Sequence, residues 1–112
     1  MSYVPVAGES DVAPGSVKVV EADGKSLALG HCEDGTWGAI DNVCTHDGGV
    51  LGEGLLEDCQ VECPRHGARF DLATGRVTAL PAVFRVNAYP VRVVNGQVEV
   101  DLGVPTKELE IG

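Results

Sequence analysis

Two short segments of the chain each place one cysteine and one histidine almost side by side. The first reads Cys44-x-His46, and after sixteen intervening residues the second reads Cys63-x-x-His66. Thiolate sulfur and imidazole nitrogen are typical metal ligands, so the two segments together predict a site with four ligands. Zinc accepts two cysteines and two histidines, but usually with like residues grouped together. The mixed pairs also suit a two-iron, two-sulfide cluster with cysteines on one iron and histidines on the other.

Small and rigid residues surround these candidate ligands. Gly48 and Gly49 follow the first pair, and Gly67 follows the second. Glycine lets the backbone turn tightly and bring its N–H groups close to a charged centre. Pro64 stiffens the second segment because its ring fixes φ. We therefore expect both segments to be loops between strands.

Short strands must position these loops, because apolar and β-branched runs alternate with turn residues at close spacing. The dipeptides Asp23-Gly24 and Asn95-Gly96 are hairpin signals. No run of residues has the period of an amphipathic helix, so the sequence predicts an all-β sandwich or barrel. The predicted strands are Val17 to Ala22, Lys25 to Gly30, Thr36 to Asp41, Gln60 to Glu62, Arg69 to Leu72, Arg76 to Thr78, Val86 to Val94 and Val98 to Leu102.

Length and charge limit the classes of function. The chain has 112 residues, which fits one domain, and its net charge of −9 disfavours nucleic acid and anionic membranes as partners. The opening residues MSYVPVAGESDVAPG have no signal-peptide pattern, and no stretch has the ~18 apolar residues of a membrane span. We expect a cytoplasmic protein, in which cysteines are metal ligands or thiols more often than disulfides.

The remaining cysteines and aromatic residues are interpreted as structural. Cys32 and Cys59 are expected to be small, partly buried strand residues, and the alternative is a redox-sensitive thiol or a disulfide between them. His31 is expected to be structural and not a fifth ligand. Trp37 and Phe84 are expected to lie in the core or to anchor loops.

The charged residues near the predicted loops have two interpretations. Arg65 and Arg69 either pair with local acids such as Glu62 or Asp71, or help to dock a partner protein. A group of acids between the two loops is expected to form a solvated face, with steering of a basic partner as the alternative. These acids are Glu53, Glu57 and Asp58.

The segments CTH and CPRHG resemble the Rieske motif. FD-x-x-TG at residues 70–75, the proline at Pro81 and YPV at residues 89–91 extend this resemblance over most of the chain. It implies that Cys44 and Cys63 bind the inner iron of one [2Fe-2S] cluster. It implies that His46 and His66 bind the outer iron near the surface, where electrons enter and leave. Further residues are expected to support the cluster, namely Gly48, Pro64, Gly67, Phe70 and Pro81.

Two features resemble the low-potential members of this family. High-potential members carry an extra cysteine in each loop, joined as a disulfide, but Gly49 and Arg65 occupy those positions here. High-potential members also direct a serine and a tyrosine hydroxyl at sulfur, where this chain has Ala68 and Phe70. Hydrogen bonds to sulfur stabilise the added electron, so their loss lowers the potential. We expect a midpoint potential of about −150 mV.

The resemblance implies a soluble ferredoxin component of a bacterial aromatic-ring-hydroxylating dioxygenase system, of the carbazole, biphenyl or naphthalene type. Such a monomeric ferredoxin passes single electrons from an NADH-dependent flavoprotein reductase to a terminal Rieske oxygenase and is not itself an enzyme. Two alternatives remain: the small subunit of an assimilatory NADH-dependent nitrite reductase, and a zinc-stabilised binding module without a redox role.

The expected fold is an all-β Rieske iron-sulfur domain. It is a small antiparallel β-sandwich with a cluster-binding subdomain formed by the two Cys/His loops and a proline loop. We expect a single domain over residues 1–103, its cluster-binding part at about 42–84, and a polar C-terminal tail over 104–112.

Overall fold

A computed structural model describes residues 3–43, 50–64, 67–80 and 86–103 of the chain. This part contains eleven strands and two single turns of 3-10 helix, Glu9–Asp11 and Leu51–Glu53. Among these residues no helix is long and apolar enough to cross a membrane. The strands are β1 (Tyr3–Gly8), β2 (Ser16–Ala22), β3 (Lys25–His31), β4 (Trp37–Asp41), β5 (Leu55–Glu57), β6 (Gln60–Glu62), β7 (Arg69–Asp71), β8 (Val77–Ala79), β9 (Ala88–Tyr89), β10 (Val91–Val94) and β11 (Gln97–Asp101).

The strands form three antiparallel sheets, which confirms the all-β prediction. The first sheet has the order β1-β11-β10, the second β2-β3-β4-β9, and the third β5-β6-β7-β8. In the third sheet, β5 and β6 lie between the two predicted ligand segments in the sequence, and β7 and β8 follow the second segment. We call this third sheet, residues 55–79, the loop-bearing sheet.

The second sheet is covered on both faces, which explains the continuous apolar run of β3. Leu27 and Leu29 belong to one buried cluster, which includes Val98 and Val100 of the first sheet. Ala28, between them in the sequence, belongs to a second buried cluster together with Phe70 of the loop-bearing sheet. Side chains alternate between the faces of a strand, so a strand buried on both faces carries apolar residues at successive positions.

A pair of glycines lets the loop-bearing sheet approach the second sheet closely. Gly30 and Gly38 are direct partners across β3 and β4. A Cβ atom at Gly30 would lie 2.7 Å from Leu72 Cδ2, and one at Gly38 would lie 2.6 Å from Leu72 Cγ. Leu72, which follows β7 and is 1% exposed, therefore packs directly against the backbone of these two glycines.

Most of the predicted strands and turns are confirmed. The prediction for β6 matches the structure, and the turns at Asp23-Gly24 and Asn95-Gly96 have positive φ at both residues. The prediction of one strand from Val86 to Val94 is wrong. The strand is interrupted at Pro90, which has no N–H to donate, so β9 joins the second sheet and β10 the first. Strands β1 and β5 were not predicted, and the predicted tail at 104–112 lies outside the described residues.

The preferred interpretation of Cys32 and Cys59 is wrong, because the structure joins them in a disulfide. Cys32 directly follows β3, and Cys59 lies in the turn between β5 and β6, not in a strand. Their Cα atoms are 5.2 Å apart, within the range that a disulfide spans. The sequence does not signal this contact, because the two cysteines are 27 residues apart and β5, the strand that brings them together, is not predicted.

Candidate metal centre

The structure describes four of the residues predicted to bind or support the cluster. These are Cys63, Pro64, Gly67 and Phe70. The other predicted site residues lie outside the described part of the chain; they are Cys44, His46, Gly48, His66 and Pro81. The site is therefore built here from the strands and contacts that hold the ends of each loop.

The second loop connects β6 to β7 and is closed at its base by two backbone hydrogen bonds. Cys63 directly follows β6, and its N–H donates to the carbonyl oxygen of Ala68 (2.7 Å). The N–H of Gly67 donates to the carbonyl oxygen of Cys63 (3.2 Å). Gly67 has a φ of +78°, a conformation that glycine adopts without steric cost. These bonds hold the two ends of the loop together at the ends of the neighbouring strands β6 and β7.

The surroundings of Cys63 are apolar. Cys63 is 1% exposed and belongs to the same buried cluster as Val61, Ala68 and Phe70. Neither Ala68 nor Phe70 has a hydroxyl group to donate to sulfur. A buried cysteine at the start of a Gly-containing loop fits the inner, protected ligand of an iron-sulfur cluster, so the described residues are compatible with that group.

The first loop, residues 44–49, is held at both ends by contacts that the sequence analysis missed. Val43 and Val50 pair in an isolated antiparallel bridge. The side chain of Asn42, which is only 7% exposed, forms hydrogen bonds to residues before and after the first loop. Its Nδ2 donates to Ser26 Oγ (2.9 Å), and its Oδ1 accepts from the N–H of Gly52 (2.6 Å). Asn42 thereby fixes the chain on both sides of the predicted ligands Cys44 and His46.

Asp41 connects the start of the first loop to the segment that follows residues 81–85. Its Oδ2 accepts from the N–H of Asn87 (3.1 Å), and its own N–H donates to the carbonyl oxygen of Asn87 (3.0 Å). The hydroxyl of Tyr89 donates to Asp41 Oδ1 (2.7 Å). The N–H of Val86 also donates to the carbonyl oxygen of Gly75, in the turn after β7 (3.0 Å). The segment after residues 81–85 is thus bonded both to the start of the first loop and to the turn between β7 and β8.

The segment FD-x-x-TG forms the tight turn between β7 and β8. Asp71 Oδ1 accepts from the N–H groups of Ala73 (2.8 Å) and Thr74 (3.0 Å). An aspartate that bonds the backbone two and three residues later stabilises such a turn without help from other elements. The motif therefore shapes the hairpin whose first strand carries Phe70.

Arg69 pairs with local acids, which confirms one of its two interpretations. Its Nη2 lies 3.1 Å from Glu57 Oε1 and 3.0 Å from Glu62 Oε1. The hydrogen bond to Glu62, and secondarily the one to Glu57, raises the pKa of Arg69 above its ordinary value. Asp71 is not its partner, because that carboxylate caps the turn. Arg65 lies outside the described residues.

His31 and Trp37 are structural, as the sequence predicts. Nδ1 of His31 donates to the carbonyl oxygen of Val12 (2.9 Å). The rings of His31 and Trp37 are stacked with centroids 4.0 Å apart across the β3–β4 pair. Phe84, the other predicted anchor, lies outside the described residues.

Comparison with known proteins identifies similar chains. The Rieske [2Fe-2S] domain family matches residues 2–90. The ferredoxin component of the naphthalene 1,2-dioxygenase system of Pseudomonas putida is 37% identical over 102 residues, which are 91% of this chain and 97% of that protein. The ferredoxin of carbazole 1,9a-dioxygenase from Nocardioides aromaticivorans IC177 superposes with a TM-score of 0.83 at 33% identity, covering 89% of this chain and 97% of that one.

Two further solved structures bear on partners. A chain in a complex of reduced oxygenase and oxidised ferredoxin of carbazole 1,9a-dioxygenase gives a TM-score of 0.79 at 31% identity, covering 88% of this chain and 91% of that one. A putative NADH-dependent nitrite reductase small subunit from Mycobacterium tuberculosis gives a TM-score of 0.81 at 28% identity, covering 92% of this chain and 97% of that one. Both kinds of protein therefore share this arrangement of sheets.

Proposed function

Because this chain belongs to the Rieske [2Fe-2S] domain family, we propose that its two Cys/His loops hold the cluster. The chain carries one Rieske cluster and is an electron carrier that transforms no substrate. Cys44 and Cys63 bind the inner iron, and His46 and His66 bind the outer iron. The burial of Cys63 supports this assignment, because a ligand of the inner iron lies away from solvent. The histidine edges are then the shortest route for electrons to enter and leave.

We propose that five residues support these ligands. Pro64 and Gly67 shape the second loop, and Phe70 packs with Cys63 in the apolar cluster. Gly48 gives the first loop its freedom to turn, and Pro81 belongs to a loop that covers the cluster from a third side.

We propose that the partner is the terminal oxygenase of an aromatic-ring-hydroxylating dioxygenase. The observation that supports this most is the match over nearly full length to ferredoxin components of dioxygenase systems. The similar chain in an oxygenase–ferredoxin complex supports the same partner class. The electron donor is an NADH-dependent flavoprotein reductase, and the carrier is a cytoplasmic monomer.

We also propose a division of the chain into a single domain over residues 1–103 and a polar tail over 104–112. The cluster-binding part extends over about 42–84. The position of the loop-bearing sheet within those bounds supports this division.

A reconstituted assay tests the function. The purified protein is mixed with the reductase and terminal oxygenase of a naphthalene or carbazole dioxygenase system, and NADH-dependent product formation is measured. The wild type should support turnover. His66→Ala should support none, while the matched variant His31→Gln, which changes a structural histidine, should retain it. Failure of the wild type with every such oxygenase would contradict the oxygenase assignment.

The small subunit of a nitrite reductase is the second candidate, because one such structure is similar over almost the whole chain. The same protein would then support nitrite-dependent NADH oxidation when mixed with a nitrite reductase large subunit. We expect no such activity. The zinc-stabilised module is the weaker alternative, because the chain belongs to a [2Fe-2S] family.

A further inference from the structure

The Cys32–Cys59 disulfide lies beside a cavity of about 330 Å³ that is lined by none of the described residues proposed to bind or support the cluster. Both cysteines line this cavity, together with Leu56 and three exposed acids, Glu33, Asp34 and Asp58. We call it the acidic cleft. Within the described residues, Cys32, Asp34 and Cys59 also form the one group close enough to bind a metal ion, but the disulfide occupies both sulfurs.

We propose that Cys32–Cys59 is a second redox site of this protein, a thiol–disulfide couple that exchanges with small thiols through the acidic cleft. Cys59 is the accessible partner because it is half-buried, whereas Cys32 is 2% exposed. Cys59 also lies in a two-residue hairpin turn in which both residues have positive φ, 53° at Asp58 and 58° at Cys59. Asparagine and glycine suit such a turn better than cysteine, so the backbone conformation does not explain this cysteine.

The exchange needs two thiol groups as the reductant. A thiolate of the reductant attacks Sγ of Cys59, a new S–S bond forms, and the bond to Cys32 breaks with its electron pair left on Cys32 Sγ. Cys32 takes a proton from water. A second thiolate then attacks the reductant's sulfur in this mixed disulfide and releases Cys59, which takes the second proton. The reductant leaves as a disulfide, having supplied two electrons.

The charge of the acidic cleft selects the thiol. Asp34 is ionised at neutral pH, because its hydrogen bonds with Thr36 lower its pKa below 3.8. Glu33 and Asp58 are exposed acids, and none of the described residues that line the cleft is a lysine, arginine or histidine. The carboxylate of Asp34 lies within 4.8 Å of the sulfurs, and the other two acids line the same cleft. Their negative charges repel anionic thiols and favour uncharged or cationic ones.

The redox state of this pair also sets how firmly the predicted ligand loops are held, a consequence that rests on the proposed function. The disulfide links the end of β3 in the second sheet to the turn of the loop-bearing sheet. The covalent ring spans residues 32–59 and so encloses Cys44 and His46. Cys59 precedes Cys63 by four residues, and its carbonyl oxygen accepts from the N–H of Leu72 (2.9 Å). Reduction frees both loop bases from this crosslink.

The selectivity is tested with two thiols of opposite charge, cysteamine and 2-mercaptoethanesulfonate. Protein isolated without thiol reductants is treated with each, quenched with iodoacetamide and analysed by mass spectrometry for loss of the Cys32–Cys59 bond. Rates are expressed per thiolate. At about 0.1 M ionic strength cysteamine should be faster by roughly tenfold or more, and the ratio should approach one at about 1 M salt.

A matched pair of variants assigns this effect to the acidic cleft. Glu33→Gln/Asp58→Asn removes two charges from the cleft and should lower the ratio several-fold. Glu21→Gln/Asp23→Asn removes the same charges at the far end of the β2–β3 hairpin, about 20 Å away, and should leave the ratio unchanged. Asp23 and Asp58 both occupy turn positions with positive φ, 50° and 53°, so the two aspartate changes are equivalent. Equal rates for the two thiols, equal effects of the variant pairs, or absence of the disulfide would overturn the proposal.

The effect on the cluster is measured without added thiols, by comparing the wild type with Cys32→Ser and Cys59→Ser. Both variants should melt roughly 10 to 25 °C lower and lose visible cluster absorption at least tenfold faster on warming. Unchanged melting and cluster loss would contradict the role of the crosslink. Thiol exchange rates do not depend on a cluster, so they still test the redox site if the proposed function fails.

Discussion

At the scale of single residues, Asn42 illustrates how a buried amide can fix a loop. Its side chain joins β3, through Ser26, to the turn after the first loop, through Gly52. A buried polar group that is fully bonded holds a unique geometry, whereas loss of one partner leaves the other unsatisfied. Asn42 therefore matters for the position of the predicted ligands although it does not bind the cluster.

Asn42→Ala should lower the free energy of unfolding by about 1 to 3 kcal/mol, because the N–H of Gly52 loses its acceptor in a buried site. Ser26→Ala, which removes only the bond to Nδ2, should cost less. Urea unfolding of both variants checks the order. If Ser26→Ala costs as much as Asn42→Ala, the Gly52 contact contributes nothing and this interpretation is wrong.

Asp34 gives a prediction about pH. The backbone N–H of Thr36 donates to Asp34 Oδ1 (2.9 Å), and this bond is the main reason that the pKa of Asp34 lies below 3.8. A lowered pKa contributes stability above the unfolded value, and this contribution is lost as the pH falls through the folded value. The stability difference between wild type and Asp34→Asn should therefore be constant above about pH 5, and the wild type should lose its advantage progressively as the pH falls from there through the lowered pKa of folded Asp34. A difference that changes between pH 5 and 8 would contradict this origin.

At the scale of elements, the position of the loop-bearing sheet depends on the Gly30–Gly38 pair. Leu72 enters the space that two Cβ atoms would fill. This contact, together with the disulfide, holds the third sheet against the second. The close approach is a property of two strands and one side chain together, so no single position in the sequence signals it.

Gly30→Ala should destabilise the protein by about 1 to 3 kcal/mol through overpacking against Leu72. Combining it with Leu72→Ala should recover part of this loss, since the new Cβ meets side-chain atoms only. Adding Leu72→Ala to Gly38→Ala should recover less stability, because the Cβ at residue 38 would also lie 2.8 Å from the Leu72 carbonyl oxygen, which remains in the double variant. Thermal melts of the three single variants and the two double variants measure the coupling. Equal recovery at both glycines would contradict the role of the backbone contact.

Local signals in the sequence were sufficient for much of the fold. The turns Asp23-Gly24 and Asn95-Gly96 were predicted because their residue types suit positive φ. The interruption at Pro90 was missed because alternation continues across it while the strand changes sheets. The disulfide was missed because the contact spans 27 residues and depends on an unpredicted strand. Asn42 was missed because a single asparagine gives no periodic signal.

At the scale of the whole molecule, three sheets are arranged around the loop ends. The second sheet packs on both neighbours. Asp41, at the end of β4, bonds to Asn87, and Asn42, directly after it, joins Ser26 to Gly52 beside the first predicted loop. The four cysteines thus divide into two roles: Cys44 and Cys63 are the proposed ligands, and Cys32 and Cys59 form the crosslink. This division separates the cluster from the thiol chemistry of the acidic cleft.

The central claim is that this protein is a low-potential Rieske electron carrier. Its most direct test is the electron paramagnetic resonance spectrum of the dithionite-reduced protein, with the midpoint potential obtained by titration. We predict a Rieske signal with an average g below the free-electron value and a potential of about −150 mV, because Ala68 and Phe70 donate no hydrogen bond to sulfur. A colourless protein with stoichiometric zinc, or a Rieske signal at a strongly positive potential, would contradict the claim.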